Sequence, residues 1–434
     1  MDPVTIGAIG FALLFTLIFL GLPIGFSFLN VGFLGTVYLA GTSSALSALA
    51  RIPFTWISDY IFTTVPLFVL SGLLIAKSGV AKELFAVANI WLGRMPGGLA
   101  MATTGAIGIF GAISGSSAAG VATMSTVCYP EMKRYKYNDS LATGCIAAGG
   151  GIDLMIPPSL GLILFGIMTE VSIGKLFLAG IIPGLLQIGS FFLAIYLVVK
   201  FNPAAAPASD RNRATWMQKI TALRDLWMVA ALFILVLGGI YLGYFTPIEA
   251  GAVSSAGAFT FLLISRRLTF GILMESLRET VSITVLIFTL LLGAMVFNVF
   301  LTLSRLPAAM AEMLNSVGSP TAGVMLILAL YLPLGMVLDA TAMIVLTVPL
   351  FLPFLMGNEV DLIWFAIMLM MMIQIGLITP PVGMNVFIAR AVIQTVPVKT
   401  IFVGMVPFLI ADVIVLALLF LFPQVSVFLP NAMR

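Results

Sequence analysis

The sequence predicts an all-α polytopic membrane protein made of two inverted-topology repeats, each with a re-entrant hairpin and a broken helix. Three observations support this fold class: the hydropathy, motifs that recur about 224 residues apart, and the uneven placement of basic residues. Of the 434 residues, 61% are hydrophobic and only 9% are charged, whereas soluble domains carry about 25% charged residues. Because so few charges cannot cover a water-facing surface, most of the surface must face lipid.

The composition also excludes several function classes. The apolar runs are long and continuous, which favours helices over the alternating segments of a membrane barrel. The chain has no histidine, so it lacks the usual metal ligand and the usual proton-transfer group near neutral pH. Two cysteines make no disulfide framework, and a net charge of +3 indicates no nucleic-acid partner. Met1-Asp2-Pro3 carries no positive flank, so we expect the first helix to be retained rather than cleaved.

Motifs recur in the same order at an offset of 223 or 224 residues, which indicates a duplication. The recurring pairs are Pro23 and Pro247, Gly111 and Gly335, Thr123 and Thr347, Pro157-Pro158 and Pro380-Pro381, and Pro183 and Pro407. The longest polar stretch, which contains Arg211 and Arg213, separates the copies. We therefore predict a first repeat at 1–201, a cytoplasmic linker at 202–225 with an amphipathic helix from Trp216 to Leu226, and a second repeat at 226–434.

The basic residues predict how the two copies lie. Suppose the first copy starts outside, crosses at roughly 4–21, 24–41 and 53–76, and then enters and returns at about 97–130. Of the 20 Lys and Arg, all but Arg51, Lys175, Arg305 and Arg434 then fall on the cytoplasmic side, as the positive-inside rule requires. Each copy has five crossings plus one hairpin, and the odd number inverts the second copy. Inverted repeats with broken helices are typical of transporters, whose sites lie near the bilayer midplane.

The hairpin tips are candidate sites. Residues 111–120 are rich in Gly and Ser, and a turn there exposes backbone groups that an ion or a substrate can use; the alternative is a helix contact through small residues. The second copy places Asp339 at the equivalent point. An acid inside an apolar stretch is a functional candidate, with a loop residue that reaches towards water as the alternative.

The broken helices are the second set of candidates. Gly149–Gly151 precede Pro157-Pro158, and Gly376 precedes Thr379-Pro380-Pro381. Consecutive prolines leave carbonyls without partners, and these could hold Na⁺ while the next half-helix faces an anion; a simple kink is the alternative. Since no Lys, Arg or His lies near either tip in the sequence, bound cations would balance an anionic substrate. Protons are less favoured, because only Asp153, Asp339 and Asp412 are candidate buried acids.

Six motifs together resemble the large membrane subunit (the DctM-like M subunit) of tripartite ATP-independent periplasmic (TRAP) transporters. They are GLPIG at 21–25, VPLF at 65–68, FGAISGSS at 110–117, IPPS at 156–159, LFLAGIIPG at 176–184 and ITPPVG at 378–383. The resemblance implies a Na⁺-coupled secondary importer of an organic acid in a bacterial inner membrane, with no organic cofactor. It also implies a small four-helix membrane subunit and a periplasmic substrate-binding protein as partners, and an elevator mechanism.

The resemblance also implies the site residues. The first Na⁺ site would use Ser114, Ser116, Ser117, Gly150, Gly151 and Ile156, and the second Asp339, Thr341, Gly376 and Thr379. Substrate would lie between the tips, against Ser116, Ser117, Pro158, Ser159, Thr341, Pro381 and Asn385. Asp153 departs from the family pattern, where a small or apolar residue is usual.

Sialic acid is the favoured substrate on overall likeness, with four-carbon dicarboxylates and other sugar acids as alternatives. A stand-alone dicarboxylate/Na⁺ symporter would share the hairpins but need no binding protein. A membrane-embedded enzyme would need acids, His or Cys converging at one depth, and the chain offers isolated Asp residues. A channel is disfavoured because no repeated ring of charges or carbonyls is evident.

Overall fold

The structure, a computed structural model, describes residues 2–207 and 215–432. Within those ranges the chain forms α-helices and short 3-10 helices joined by loops, with no β-strand. The predicted all-α class is therefore confirmed. Linker residues 208–214, Arg211 among them, and Arg434 lie outside the described residues.

The first array of helices runs up to the linker. Its members are α1 (Pro3–Phe19), α2 (Ile24–Ala40), α3 (Thr42–Ile57), α4 (Thr64–Lys77), α5 (Val80–Leu92), α6 (Gly98–Ser114), α7 (Ser117–Arg134), α8 (Asp139–Gly149), α9 (Leu160–Thr169) and α10 (Ile173–Phe201). Short 3-10 helices occupy Tyr60–Thr63, Gly150–Leu154 and Pro203–Ala205. The helices α6 and α7 form the predicted hairpin, and α8 and α9 are the two halves of the predicted broken helix.

The second array repeats this order. After α11 (Trp216–Leu223) and a 3-10 turn (Arg224–Leu226), it comprises α12 (Trp227–Tyr241), α13 (Pro247–Ile264), α14 (Phe270–Ser304), α15 (Leu306–Asn315), α16 (Pro320–Gly335), α17 (Ala340–Gly357), α18 (Leu362–Ile378), α19 (Met384–Ile393), α20 (Val398–Leu421) and α21 (Gln424–Ala432). Here α16 and α17 are the hairpin, and α18 and α19 the broken helix. Left-handed backbone also recurs, at Glu170 and Gln394, with φ of 59° and 53°.

Equivalent helices of the two arrays pack antiparallel. Lys77 at the end of α4 pairs with Glu275 and Glu279 near the start of α14, at 3.2 and 2.8 Å. Phe62, which precedes α4, stacks against Phe288 further along α14. Since α4 and α14 occupy the same place in their arrays, the second array has the inverted topology that the charge placement predicts. The same holds for α10 and α20: Gln187 bonds Asp412 at 2.9 Å, and Phe191, later in α10, stacks at 5.1 Å on Phe408, earlier in α20.

Glycines allow the arrays to interlock through α2 and α14, and through α4 and α13. A methyl group added at Gly25 would lie 2.8 Å from the carbonyl oxygen of Thr289 on α14, and one at Gly32 would lie 2.6 Å from the backbone of Phe297. Such close backbone approach is how membrane helices gain packing energy without a hydrophobic driving force. These four helices therefore form a tightly packed framework shared by both arrays.

The third span of the first array differs from its prediction. The hydropathy predicts one span at 53–76, whereas the chain ends α3 at Ile57 and starts α4 at Thr64. Asp59 explains the break, because its carboxylate accepts a hydrogen bond from the backbone N–H of Ile61 (3.0 Å) and caps the 3-10 turn between the helices. The equivalent α14 runs unbroken for 35 residues.

Helix lengths bear on the number of crossings. By length and composition, six helices in the described ranges can span a membrane, or seven if α11 and α12 form one bent span. The prediction of five crossings per repeat also counts shorter helices, namely α1, α2 and the broken helices, as membrane crossings. The helices α1 and α2 have 17 residues each, or about 26 Å at 1.5 Å per residue, and each broken helix is divided into halves of 10 to 17 residues.

The predicted surface helix after the linker begins at Trp216, as expected, and ends at Leu223. Thr215 and Gln218 form a capping box at its start. Trp216 is exposed, and Lys219 lies over the rings of Trp91 and Trp216 at 5.5 and 5.3 Å. The apolar, cation-bearing face is typical of a helix at a membrane surface.

Candidate functional site

The first hairpin turns where the Gly/Ser-rich stretch predicts. Gly115 adopts φ of +64°, which ends α6, and Ser116 is extended before α7 begins at Ser117. The Ser116 Oγ accepts a hydrogen bond from the Ala119 N–H (3.3 Å), and the Ser114 Oγ donates to the Gly111 carbonyl (3.3 Å). These two hydroxyls thus stabilise the turn itself.

The first broken helix lies against this turn. The helix α8 ends at Gly149 and continues as the 3-10 helix Gly150–Leu154 before the cis Pro157-Pro158 bond. A methyl group at Gly111 would lie only 2.7 Å from the Asp153 Cβ, so the backbone of α6 touches the break directly. The Ser117 Oγ donates a hydrogen bond of 2.7 Å to the Asp153 carboxylate. Hairpin and broken helix are therefore joined by a hydroxyl and a carboxylate.

Residues of the second array reach the same place. A methyl group at Gly150 would lie 3.1 Å from the Asn385 Nδ2 and 3.4 Å from the Ser117 carbonyl oxygen. Asn385, on α19, is buried and donates to the Ala147 carbonyl (3.3 Å). The structure thus brings together three predicted site residues, Ser117, Gly150 and Asn385. Gly151 packs against the Gln374 side chain of α18.

Three other predicted residues of the first broken helix face elsewhere. The Ser159 Oγ is buried and donates to the Leu154 carbonyl (2.9 Å) while it accepts from the Leu162 N–H, so it caps α9. Ile156 packs towards Gly184 of α10. Pro158 lines a cavity of about 30 Å³ together with Ser71 and Ser254 of α4 and α13. These residues shape the break rather than its contact with the hairpin.

The second hairpin turns at residues 336–339. Asp339 is half-buried, and its carboxylate accepts a hydrogen bond from the Ala342 N–H (3.1 Å) as the N-cap of α17. A carboxylate at a helix N-terminus is stabilised by the helix dipole. Thr341 is half-buried in the first turn of the same helix. Both predicted residues of the second hairpin therefore lie at its tip.

The second broken helix contacts the second hairpin through backbone. A methyl group at Gly335 would lie 2.8 Å from the Gly376 Cα, and one at Gly376 would lie 2.7 Å from the Gly335 Cα. The Thr379 hydroxyl donates to the Ile375 carbonyl (2.5 Å), and the cis Pro380-Pro381 bond follows, with Pro381 exposed. The second tip is thus built from Asp339, Thr341 and the interrupted backbone after Gly376.

Each hairpin also packs against the other array. The arm α7 contacts α19, and the equivalent arm α17 contacts α9, where Ile344 approaches Gly161. The two tips therefore belong to one continuous body formed by both hairpins and both broken helices. This body contains residues that are far apart in the sequence: Asn385 and Ala147, which are hydrogen-bonded, are separated by 238 positions.

The donor set at the tips is one of hydroxyl, carboxylate and carbonyl oxygens. In the described ranges, no group of three or more His, Cys, Asp or Glu side chains could hold a metal ion. The ion pairs found there use acids other than Asp153 and Asp339. Oxygen-only ligands with one carboxylate per tip suit a hard monovalent cation.

Sequence reasoning identified the tips but missed two of their contacts. It noted Asp153 as a departure from the family pattern without assigning its partner, Ser117. It also missed Gln374, which packs on Gly151. A glutamine in an otherwise apolar run of Met and Ile was the available signal.

Comparisons with known proteins agree on one family. The family model described as "Tripartite ATP-independent periplasmic transporter, DctM component" matches residues 11–425. The chain is 34% identical to the C4-dicarboxylate TRAP transporter large permease protein DctM of Pseudomonas aeruginosa, over 91% of this chain and 92% of that protein. It is 31% identical to the sialic acid TRAP transporter large permease protein SiaM of Vibrio cholerae, over 96% of each.

A solved structure is similar in fold. The Alcanivorax borkumensis YdaH transporter, described as having an unusual topology, matches with a TM-score of 0.53 and 16% sequence identity. The match covers 86% of this chain and 89% of that one.

Proposed function

Because this chain belongs to the DctM component family of tripartite ATP-independent periplasmic transporters, we propose that it imports an organic acid anion by Na⁺-coupled secondary active transport. One observation supports this most directly: in each array a hairpin touches an interrupted helix, and one carboxylate, Asp153 or Asp339, lies at the tip with no basic partner in the described ion pairs. The chain is a multi-pass membrane protein and a transporter component, not an enzyme.

We assign one Na⁺ to each tip. At the first tip, the Ser117 hydroxyl bonds the Asp153 carboxylate, and the Ser117 carbonyl oxygen lies beside Gly150. At the second tip, the Asp339 carboxylate, the Thr341 hydroxyl and the carbonyls between Gly376 and Thr379 supply the same kinds of oxygen. A bound Na⁺ neutralises the carboxylate of each site. The anionic substrate then carries the remaining negative charge, near the N-termini of α9 and α19.

The proposed cycle is an elevator movement. The hairpins and broken helices would move as one transport body against the framework of α2, α4, α13 and α14. Na⁺ would provide the driving force, since moving one net positive charge inward is worth about 2.3 kcal/mol per 100 mV.

The family description implies assistance from other subunits. We propose that a small four-helix membrane subunit and a periplasmic substrate-binding protein work with this chain in a bacterial inner membrane. Membrane lipid surrounds the remaining apolar surface. The long exposed apolar face of α20 fits a lipid or subunit contact, because the buried residues of this helix lie on one side only.

Sialic acid remains the favoured substrate, with four-carbon dicarboxylates next. Relatives named for these two classes are of comparable similarity, at 31% and 34% identity. The shared requirement is a carboxylate, which the N-terminal N–H groups of α9 and α19 can bind. Asn385, buried beside Gly150, adds an amide that can recognise the substrate's polar groups.

Uptake by proteoliposomes tests the proposal. The chain and its small subunit are reconstituted, and a panel of sialic acid, succinate and other organic acids is presented with the binding protein encoded beside them. We expect one acid to accumulate only when an inward Na⁺ gradient and the binding protein are both present. Uptake at the same rate without the binding protein would instead support a stand-alone symporter. If none of the acids is taken up, the proposed import of an organic acid is contradicted.

A further inference from the structure

A cavity of about 350 Å³ lies between the loop that joins α5 to α6 and the end of α10. The segment 203–207, which follows α10, forms a further wall. Gly97 lets the loop approach α10, since a methyl group there would lie 2.6 Å from the Ile195 Cγ2. The Asn138 N–H donates to the Ala205 carbonyl (2.9 Å), which holds the segment after α10 against the loop between α7 and α8. The cavity is therefore enclosed by parts of the chain that are far apart in sequence.

Two basic side chains line this cavity. Arg94 comes from the α5–α6 loop and Lys200 from the last turn of α10, and both are exposed. Among residues 2–207 and 215–432, no ion pair involves either of them, and the lining contains no Asp or Glu. Tyr196, one turn before Lys200, adds a phenol group. Tyr137 adds a second one, and its hydroxyl is fixed by a hydrogen bond that it accepts from the Leu99 N–H (3.3 Å). Arginine and lysine beside hydroxyl groups are the donors that bind a phosphate.

The repeated fold does not require the two cations. At the offset of 224 residues, Arg94 corresponds to Gly318 and Lys200 to Gln424, so the equivalent positions of the second array carry no charge. The positive-inside rule explains why basic residues lie on the cytoplasmic side, but it does not require two of them to line one cavity. Their placement is therefore a property of this cavity.

The surroundings place the cavity at the depth of lipid headgroups. Trp91, which lies two residues before the lining begins, donates from Nε1 to the Lys219 carbonyl (3.2 Å) and so packs on the surface helix α11. Met95, in the lining, and Phe201, beside Lys200, are exposed. Aromatic and basic side chains together are typical of the boundary between membrane and water. The mouth of the cavity thus has an apolar rim and a basic interior.

We propose that this cavity binds the phosphate group of an anionic phospholipid from the cytoplasmic leaflet. Basic pockets between membrane helices on this side accept such headgroups, and the volume lies within the range of about 300–1,000 Å³ that is usual for small-molecule sites. The phosphate lies between Arg94 and Lys200, and the acyl chains lie along the exposed apolar surface at Met95 and Phe201. The apolar rim distinguishes a lipid from a soluble phosphate ester, which has no apolar part to place there.

Native mass spectrometry of the purified protein, titrated with phosphatidylglycerol, tests the site without any transport measurement. We expect the double variant Arg94→Gln/Lys200→Gln to bind one phosphatidylglycerol about tenfold more weakly or worse, because each basic residue near an anionic lipid contributes roughly fivefold to binding. The matched control is Lys82→Gln/Arg266→Gln, which removes the same charge from two exposed residues outside the cavity. The control should bind as the wild type does. Phosphatidylcholine with the same acyl chains should not distinguish the two double variants.

A second variant tests the cavity rather than the charge. Ala206 is buried in the lining, and we expect Ala206→Phe to fill the space and to lose the same phosphatidylglycerol with both cations in place. If the charge variant does not fold, this variant decides. Wild-type number and affinity of bound phosphatidylglycerol in the folded variants would overturn the proposal, as would an equal loss in the Lys82→Gln/Arg266→Gln control. Displacement of the lipid by excess glycerol 3-phosphate would show a site for a soluble phosphate ester and would also overturn it. None of these outcomes bears on Na⁺-coupled import, which the uptake assay tests separately.

Discussion

The two tips share a backbone plan but exchange the position of the carboxylate. At the first tip the acid, Asp153, lies on the broken helix and the hairpin supplies the Ser117 hydroxyl. At the second tip the acid, Asp339, lies on the hairpin, and Gly376 stands at the position equivalent to Asp153. Each tip therefore has one carboxylate. The two repeats therefore share the charge at each tip, although a different position carries it.

Packing explains why the acid cannot occupy the same position twice. Gly111 meets the Asp153 Cβ, whereas its equivalent Gly335 meets the bare backbone of Gly376. A side chain at 376 would collide with α16, so the second tip must carry its acid on the hairpin. At the first tip, the Asp153 Cβ lies between the hairpin and the broken helix, whereas at the second tip the two backbones meet directly.

The largest expected difference between the arrays is the side of the membrane from which equivalent positions can be labelled. Arg134 and Asn358 follow the two hairpins and are equivalent at an offset of 224. In a chain where Cys128 and Cys145 are buried, we expect Arg134→Cys to react with an impermeant maleimide only from the cytoplasmic side and Asn358→Cys only from outside. Reaction of both from one side would refute the inversion.

Removal of the second carboxylate should affect ion dependence next most strongly. With Asp339→Ala, we expect the Na⁺ concentration for half-maximal uptake to rise by about tenfold or more, because the only charged ligand of that site is lost. Asp361→Ala is the matched control, since Asp361 caps α18 far from either tip. An unchanged Na⁺ dependence in Asp339→Ala would count against the second site.

The serines of the first tip should have unequal roles. Ser116→Ala removes a helix cap, worth about 1 kcal/mol of stability, whereas Ser117→Ala removes the partner of Asp153. We expect Ser117→Ala to reduce uptake severalfold with little change in thermal stability, and Ser116→Ala mainly to lower the melting temperature. The double variant should fold yet transport poorly; wild-type uptake by that variant would assign both residues to packing.

Alanine in place of Gly111 or Gly335, the two equivalent hairpin glycines, should show how tightly each hairpin packs on its broken helix. Gly335→Ala forces apart two backbones, and overpacking of this kind costs about 1–3 kcal/mol. Gly111→Ala meets the Asp153 Cβ, which moves with a short 3-10 turn rather than with a long helix, so a smaller loss is expected. Thermal denaturation of the detergent-purified complex measures both, and an equal loss would show that the first tip is as tightly packed as the second.

The sequence predicted those features that depend on local chemistry. Glycine and consecutive prolines marked both tips and both broken helices, and the turn at Gly115 falls inside the predicted stretch. The break before α4 was missed, because Asp59 was read as part of an apolar span although an acid followed by a helix start is an N-cap signal.

Contacts between distant residues could not be predicted in the same way. Ser117 and Asp153 are 36 positions apart, and Gln187 and Asp412 are 225 apart. Hydropathy and spacing identify such residues as unusual but do not indicate which of them meet. Antiparallel packing of α10 and α20 decides that pairing, and it depends on the whole fold.

In the proposed cycle, each tip carries one Na⁺ inward with the substrate. Simultaneous measurement of ²²Na⁺ and labelled substrate entering the same proteoliposomes tests it most directly. We expect at least two Na⁺ per substrate molecule for the wild type, and fewer for Asp339→Ala. Substrate entry without accompanying Na⁺ would contradict it.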